Sequence, residues 1–145
     1  MNDRQEVKWN GKNDILTEQV IGCAIEVHRR LGPGYLESVY EKALMIELEL
    51  KGLSVRNQVP IPVSYRGQVI GDFMADLVVE GNLILELKAC HLLHARHEAQ
   101  LVNYLVATGF DTGLLLNFGA DSLQIKRKYR IYQSSTQSCE SCNPV

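Results

Sequence analysis

Apolar residues recur at helical spacing from about Ile15 to Leu31, where Val20, Cys23, Ala24, Val27 and Leu31 form one stripe. "GPG" (Gly32, Pro33, Gly34) must break that helix, because Pro33 has no amide hydrogen to donate. A second stripe, Leu36, Val39, Tyr40, Ala43, Ile46 and Leu50, predicts a helix from about Leu36 to Lys51, ended by Gly52. The period then falls to two. "SVRNQVPIPVSYRG" alternates and carries two prolines, which suits an edge strand, and "QVIGDFMADLVVEG" and "NLILELKA" follow as strands with glycines at the turns. A third helix is expected from about Arg96 to Thr108. The apolar run "TGLLLNFG" then reads as a strand buried on both faces, and "LQIKRKYRIY" as a last strand. The order α-α-β-β-β-α-β-β predicts an α/β (α+β) fold, a mixed sheet flanked by helices.

Three charges interrupt the predicted hairpin "DLVVEGNLILELKA". Alternation places Leu83, Leu85 and Leu87 on one face and Ile84, Glu86 and Lys88 on the other, with Asp76 and Val78 opposite Leu77 and Val79. Register decides whether the charges meet. A two-residue turn would set Asp76 against Leu87, whereas a three-residue connection, Glu80-Gly81-Asn82, sets Asp76 against Glu86. The left-handed residue of that loop is expected at Asn82. Two carboxylates roughly 5 Å apart at their β-carbons repel unless a cation lies between them. Oxygen ligands of this kind suit Mg²⁺ or Mn²⁺, and Lys88 is placed to orient a water. The bland alternative is a solvated hairpin face carrying an ordinary Glu–Lys pair. Against it, Gln100 and Tyr104 interrupt the apolar stripe of the third helix, four apart on the face shared by His97 and Leu101.

With 145 residues and 46% hydrophobic content, one domain can build its own core. Residues 14–132 are assigned to that domain, 1–13 to a polar extension and 133–145 to a disordered tail. No apolar run reaches the ~18 residues of a bilayer span, and "MNDRQEVKWNGKND" is unlike a signal peptide, so a cytoplasmic location is expected. A net charge of −2 argues against a generic nucleic-acid coat protein but leaves room for one local basic surface. Lys126, Arg127, Lys128 and Arg130 are the candidate track for a phosphate backbone, with Arg29 and Arg30 adding to it; a solvated edge strand explains the run equally well. Cys23 and Cys90 read as core thiols, and the "CESC" of Cys139 and Cys142 as incidental ones. His28 is expected to pack between helices.

Asp76, nine residues, then Glu86-Leu87-Lys88 resembles the D…E-x-K signature of the PD-(D/E)XK nuclease superfamily. Gln100 to Tyr104 resembles the Q-x-x-x-Y helix motif of part of that superfamily. "GYLESVY" (Gly34, Glu37, Tyr40) matches the motif that names the small bacterial and archaeal GxxExxY proteins, and the likeness runs from about residue 14 to 130. The resemblance implies Asp76, Glu86 and the backbone carbonyl of Leu87 as Mg²⁺ or Mn²⁺ ligands, and Lys88 as the residue that positions the attacking water. It implies that Glu37 completes the metal shell or holds a water, and that Gln100 and Tyr104 organise the site or touch a phosphate. The reaction implied is phosphodiester hydrolysis on nucleic acid, DNA being the first expectation, with no membrane and with a homodimer or protein partner left open.

Two rival readings remain. Cys90, His91, His94 and His97 offer nitrogen and sulfur ligands for zinc, although their spacing on a helix spreads the imidazoles too widely for one ion. The other is a catalytically silent nuclease fold acting as a nucleic-acid or protein binding and regulatory module, since fold never guarantees function.

Overall fold

The structure, a computed structural model, describes residues 11–130. Its elements are α1 (Gly11–Leu31), α2 (Glu37–Leu50), β1 (Val55–Tyr65), β2 (Gln68–Val79), β3 (Leu83–Lys88), α3 (Ala95–Thr108), β4 (Thr112–Asn117) and β5 (Gln124–Tyr129). Helix α1 begins before the expected Ile15. Residues 1–10 and the segment from 131 onward, with the C-x-x-C of Cys139 and Cys142, lie outside the described residues.

The strands lie in sequence order in one sheet. All neighbours are antiparallel except β3 and β4, which are parallel and are joined through α3. A parallel pair cannot be closed by a tight turn, so the sequence must supply a helix at that point, and it does. On one face Leu77, Val79, Leu83, Leu85, Leu87, Leu114 and Leu116 pack under α1 and α2. On the other, Val78, Ile84 and Leu115 pack under Leu101, Tyr104 and Leu105 of α3. Gly113 permits that second docking, since a Cβ there would sit 2.8 Å from a methyl of Leu101. Burying each leucine contributes roughly 1.5–3 kcal/mol, so two apolar layers hold this sheet together.

The predicted hairpin register is observed. Leu77 pairs with Leu85 and Val79 with Leu83, leaving Glu80, Gly81 and Asn82 as the connection. The left-handed residue was expected at Asn82; positive φ falls instead on Glu80 (54°) and Gly81 (62°). A contact distant in sequence explains the correction. The Glu80 amide donates to the Ser54 carbonyl (2.8 Å), and its carboxylate accepts from the Ser54 amide (2.7 Å). This tie to the start of β1 fixes Glu80 in a conformation that local propensity disfavours.

Further along, β1 and β2 change layers. Leu77 belongs to the α1/α2 side, yet Ala75, of the same parity, packs on the α3 side; Val55 and Val59 divide in the same way. The change occurs at the level of Asp76, opposite which Gln58 has a φ of 49° and drops out of the ladder.

Candidate active site

Asp76 and Glu86 stand where β2 and β3 separate. Regular pairing stops at Leu77–Leu85, and the carboxylates take over its hydrogen bonds. The Asp76 amide donates to Glu86 Oε1 at 3.2 Å, and the Leu87 amide donates to Asp76 Oδ2 at 2.8 Å. The two acids are therefore held side by side by each other's strand. Glu86 is only 5% exposed. Burial and the neighbouring Asp76 carboxylate push its carboxyl up to about 8, against weaker opposing help from a backbone hydrogen bond and Lys88. The pair is short of positive charge.

The flanking groups come from both layers. Tyr104 of α3 is 6% exposed, and burial followed by the charges of Glu86 and Asp76 raises its hydroxyl. Gln100 lies one turn earlier on α3 and is half-buried. Glu37 opens α2 on the other side of the sheet. Partial burial raises its carboxyl, Lys88 opposes this, and Asp76 and Glu41 add to it. These electrostatic couplings place Glu37, Lys88 and Asp76 in one neighbourhood.

The G-x-x-E-x-x-Y segment gains a local explanation here. Gly34 has a φ of 112°, which a side chain would resist. Tyr40 is fully buried and its ring stacks on Phe118, 4.7 Å between centroids. Its hydroxyl donates to the Gly32 carbonyl (2.5 Å) and accepts from the Tyr35 amide (3.2 Å). Tyr40 thus pins the turn from which Glu37 is presented.

Sequence reasoning missed Asn117, at the end of β4. Its buried side chain accepts from the amides of Cys90 and Gly119 (both 3.0 Å) and donates to the Cys90 carbonyl and to Gln124 Oε1 (both 2.8 Å). With the Phe118 amide donating to the Lys88 carbonyl (2.8 Å), this clamp fixes the chain that leaves the site. The only hint was one amide closing an otherwise apolar run. Glu41 was missed as well: it accepts from Gln58 Nε2 at 3.2 and 3.3 Å, tying α2 to the distorted point of β1.

The cations of β5 are not gathered into one track. Alternation sends Arg127 to Asp14 of α1 (3.4 Å) and Lys128 to Glu98 of α3 (3.3 Å), while Arg130 meets Asp111 (3.0 Å). Lys126 is exposed. Arg29 and Arg30 both bind Glu26 on α1. His28 was expected between the helices; its Nε2 instead lies 2.9 Å from the carbonyl of Ala120, beyond β4.

Among the described residues no three His, Cys, Asp or Glu side chains converge on one point. The zinc ligands considered above are accordingly not assembled. His94 and His97 cap α3, the His94 amide donating to His97 Nδ1 at 3.3 Å, and His91 is exposed. Asp76 and Glu86 offer only hard oxygen donors. Such a set fits Mg²⁺ or Mn²⁺, which binds through one or two carboxylates and keeps several waters, and does not require a third acidic ligand.

A family model described as the PD-(D/E)XK nuclease superfamily matches residues 14–128. A crystal structure of SSO0001 has a similar fold, with a TM-score of 0.53 at 17% identity over 72% of this chain. The match spans 55% of that protein's chain, just over half its length. No curated protein matches the chain. No helix among the described residues is long and apolar enough to cross a membrane.

Proposed function

The chain belongs to the PD-(D/E)XK nuclease superfamily, and on that premise we propose that it is a metal-dependent nuclease of the GxxExxY type. The observation that carries this reading is the reciprocal hydrogen bonding of Asp76 and Glu86 at the strand fork, which holds a half-buried and a buried carboxyl side by side. Asp76, Glu86 and the Leu87 carbonyl would hold Mg²⁺ or Mn²⁺. When bound, the ion supplies Lewis-acid polarisation of the phosphoryl oxygen and lowers the pKa of a water.

The chain's own groups do the rest. Lys88 orients the attacking water and offsets negative charge as it develops. Glu37, on the opposite side of the strand fork, holds a further water. Tyr104 keeps its proton because burial and two carboxylates raise its hydroxyl, so it donates to a phosphate oxygen. Gln100, one turn away, positions the same phosphate. The new bond joins the water oxygen to phosphorus as the water gives up a proton to solvent, and the P–O bond that breaks releases one ester oxygen, which takes a proton from solvent.

The test is Mn²⁺-dependent cleavage of labelled DNA and RNA forms, duplex DNA first, by wild type beside Lys88→Ala, with calorimetric Mn²⁺ titration of both and of Asp76→Ala. Cleavage lost in Lys88→Ala, with Mn²⁺ binding lost only in Asp76→Ala, is the expected result. Absence of Mn²⁺ binding by wild type overturns the site. Retained binding without cleavage of any substrate favours the silent binding module, a reading that the pairing of Arg127, Lys128 and Arg130 with acids also favours.

A further inference from the structure

Phe73 stands on β2 three residues before Asp76, roughly 10 Å along the strand. It shares a face with Ala75, which packs with Ile61, Val78 and Tyr104 on the α3 side of the sheet. Ile61, its partner across the hairpin, is buried. The Phe73 ring lies over Gly71, where a Cβ would be 3.2 Å from it. Its centroid is 5.8 Å from that of the Tyr104 ring, the two planes tilted by 43°. The ring is thus held by its own strand and by α3, yet Phe73 is 44% exposed. An aromatic surface fixed on two sides and open to solvent therefore adjoins the tyrosine that the proposed reaction assigns to a phosphate oxygen.

We propose that Phe73 is a specificity-determining residue that stacks on an unpaired base of the substrate, so that the site takes single-stranded nucleic acid or the unpaired end of a duplex. This rests on the nuclease reading of the neighbouring groups: Tyr104 holds a phosphate oxygen while a base of the same strand meets Phe73. The choice of occupant follows from charge and from continuity with the site. Residues 59–75 contain one cation, Arg66, and one anion, Asp72, and three cations of β5 are taken up by acids. Duplex binding draws much of its affinity from phosphates, and duplex bases are already stacked on one another. Single-strand binding instead leans on aromatic side chains, on which any base can stack. A ring that extends the site and carries no charge suits that second mode.

Pre-organisation supports the assignment. A ring already held against Gly71 and Tyr104 loses little freedom when a base covers it. The arm also supplies its own control. Tyr65 is 62% exposed and carries the Arg66 guanidinium 5.9 Å from its ring centroid. It pairs with Gln68, five residues before Phe73, and so lies roughly 15 Å further out along the hairpin. Tyr65 offers an equally accessible aromatic face with no link to the site.

Fluorescence of 2-aminopurine, quenched when the base stacks, reads the contact directly. A single-stranded DNA carrying this base is titrated in EDTA, and again in Mn²⁺ in the Lys88→Ala background so that the strand is not cut. Wild type is expected to quench, and Phe73→Trp to bind as well or better. Phe73→Leu, which keeps apolar bulk without a π face, and Phe73→Ala should lose about 5- to 100-fold in affinity. Tyr65→Ala should match wild type, blunt duplex affinity should be unchanged in every variant, and circular dichroism checks that Phe73→Leu is folded. Unaltered single-strand binding by Phe73→Leu, an equal loss on duplex, or an equal loss in Tyr65→Ala overturns the proposal. So does the absence of quenching under both conditions. Mn²⁺-dependent cleavage without Phe73-dependent quenching keeps the nuclease and removes this inference. Phe73-dependent quenching by a protein that binds no Mn²⁺ keeps the stacking residue and removes the metal site.

Discussion

Glu86→Gln keeps the shape of the side chain and removes its charge. In the folded protein the Glu86 carboxyl is pushed from 4.5 to about 8 by burial and by Asp76. Its contribution to stability is therefore fully present below the unfolded value and is lost as pH rises through the folded one. Between these limits the native state holds a proton that the unfolded chain has released, so wild type loses up to about 1.4 kcal/mol per pH unit. The whole interval corresponds to roughly 5 kcal/mol, and relaxation of a strongly coupled pair reduces this to about 2–4 kcal/mol. The amide that replaces the carboxyl in the variant has no such proton to lose. Urea unfolding in EDTA at pH 5, 7 and 9 should show the variant gaining on wild type as pH rises. Adding Mn²⁺ should stabilise wild type at pH 9 and the variant far less. An equal difference between the two proteins at every pH would refute the argument that the acid pair is short of positive charge.

Two substitutions test the supports of the site. Tyr40→Phe keeps the stack on Phe118 but loses both hydroxyl hydrogen bonds at the α1–α2 turn; it should destabilise by about 1–2 kcal/mol in urea unfolding, and a neutral result would deny the turn its pin. Gln58→Gly relieves a left-handed residue in the middle of a strand at the expense of an exposed bond to Glu41. It should stabilise by about 0.5–1 kcal/mol by the same measurement, and a loss would mean that the tie to Glu41 outweighs the strain.

The hairpin register was legible because alternation and a turn-forming triplet are local properties, and together they set Asp76 beside Glu86. The dihedral at Glu80 was not, because Ser54, 26 residues away, dictates it. The basic run at 126–130 shows the same limit. As a string it is one patch; on a strand its side chains alternate, and three of its four cations meet acids in different parts of the fold, Arg127 at Asp14, Lys128 at Glu98 and Arg130 at Asp111, while Lys126 is exposed. Asn117 was invisible for a related reason, since an amide in an apolar strand carries no mark of the backbone groups of Cys90 that it holds.

The strand fork has a consequence for how the molecule unfolds. Glu37 is carried by the helical pair that covers one apolar cluster and Tyr104 by the helix that covers the other, and the sheet separates the two. A ligand engaging both residues would act as a staple through the sheet, tying two layers that could otherwise loosen separately. Amide exchange in α3 and in α2 would then slow together on binding, although the helices lie on opposite faces, and partial opening of either would release the ligand.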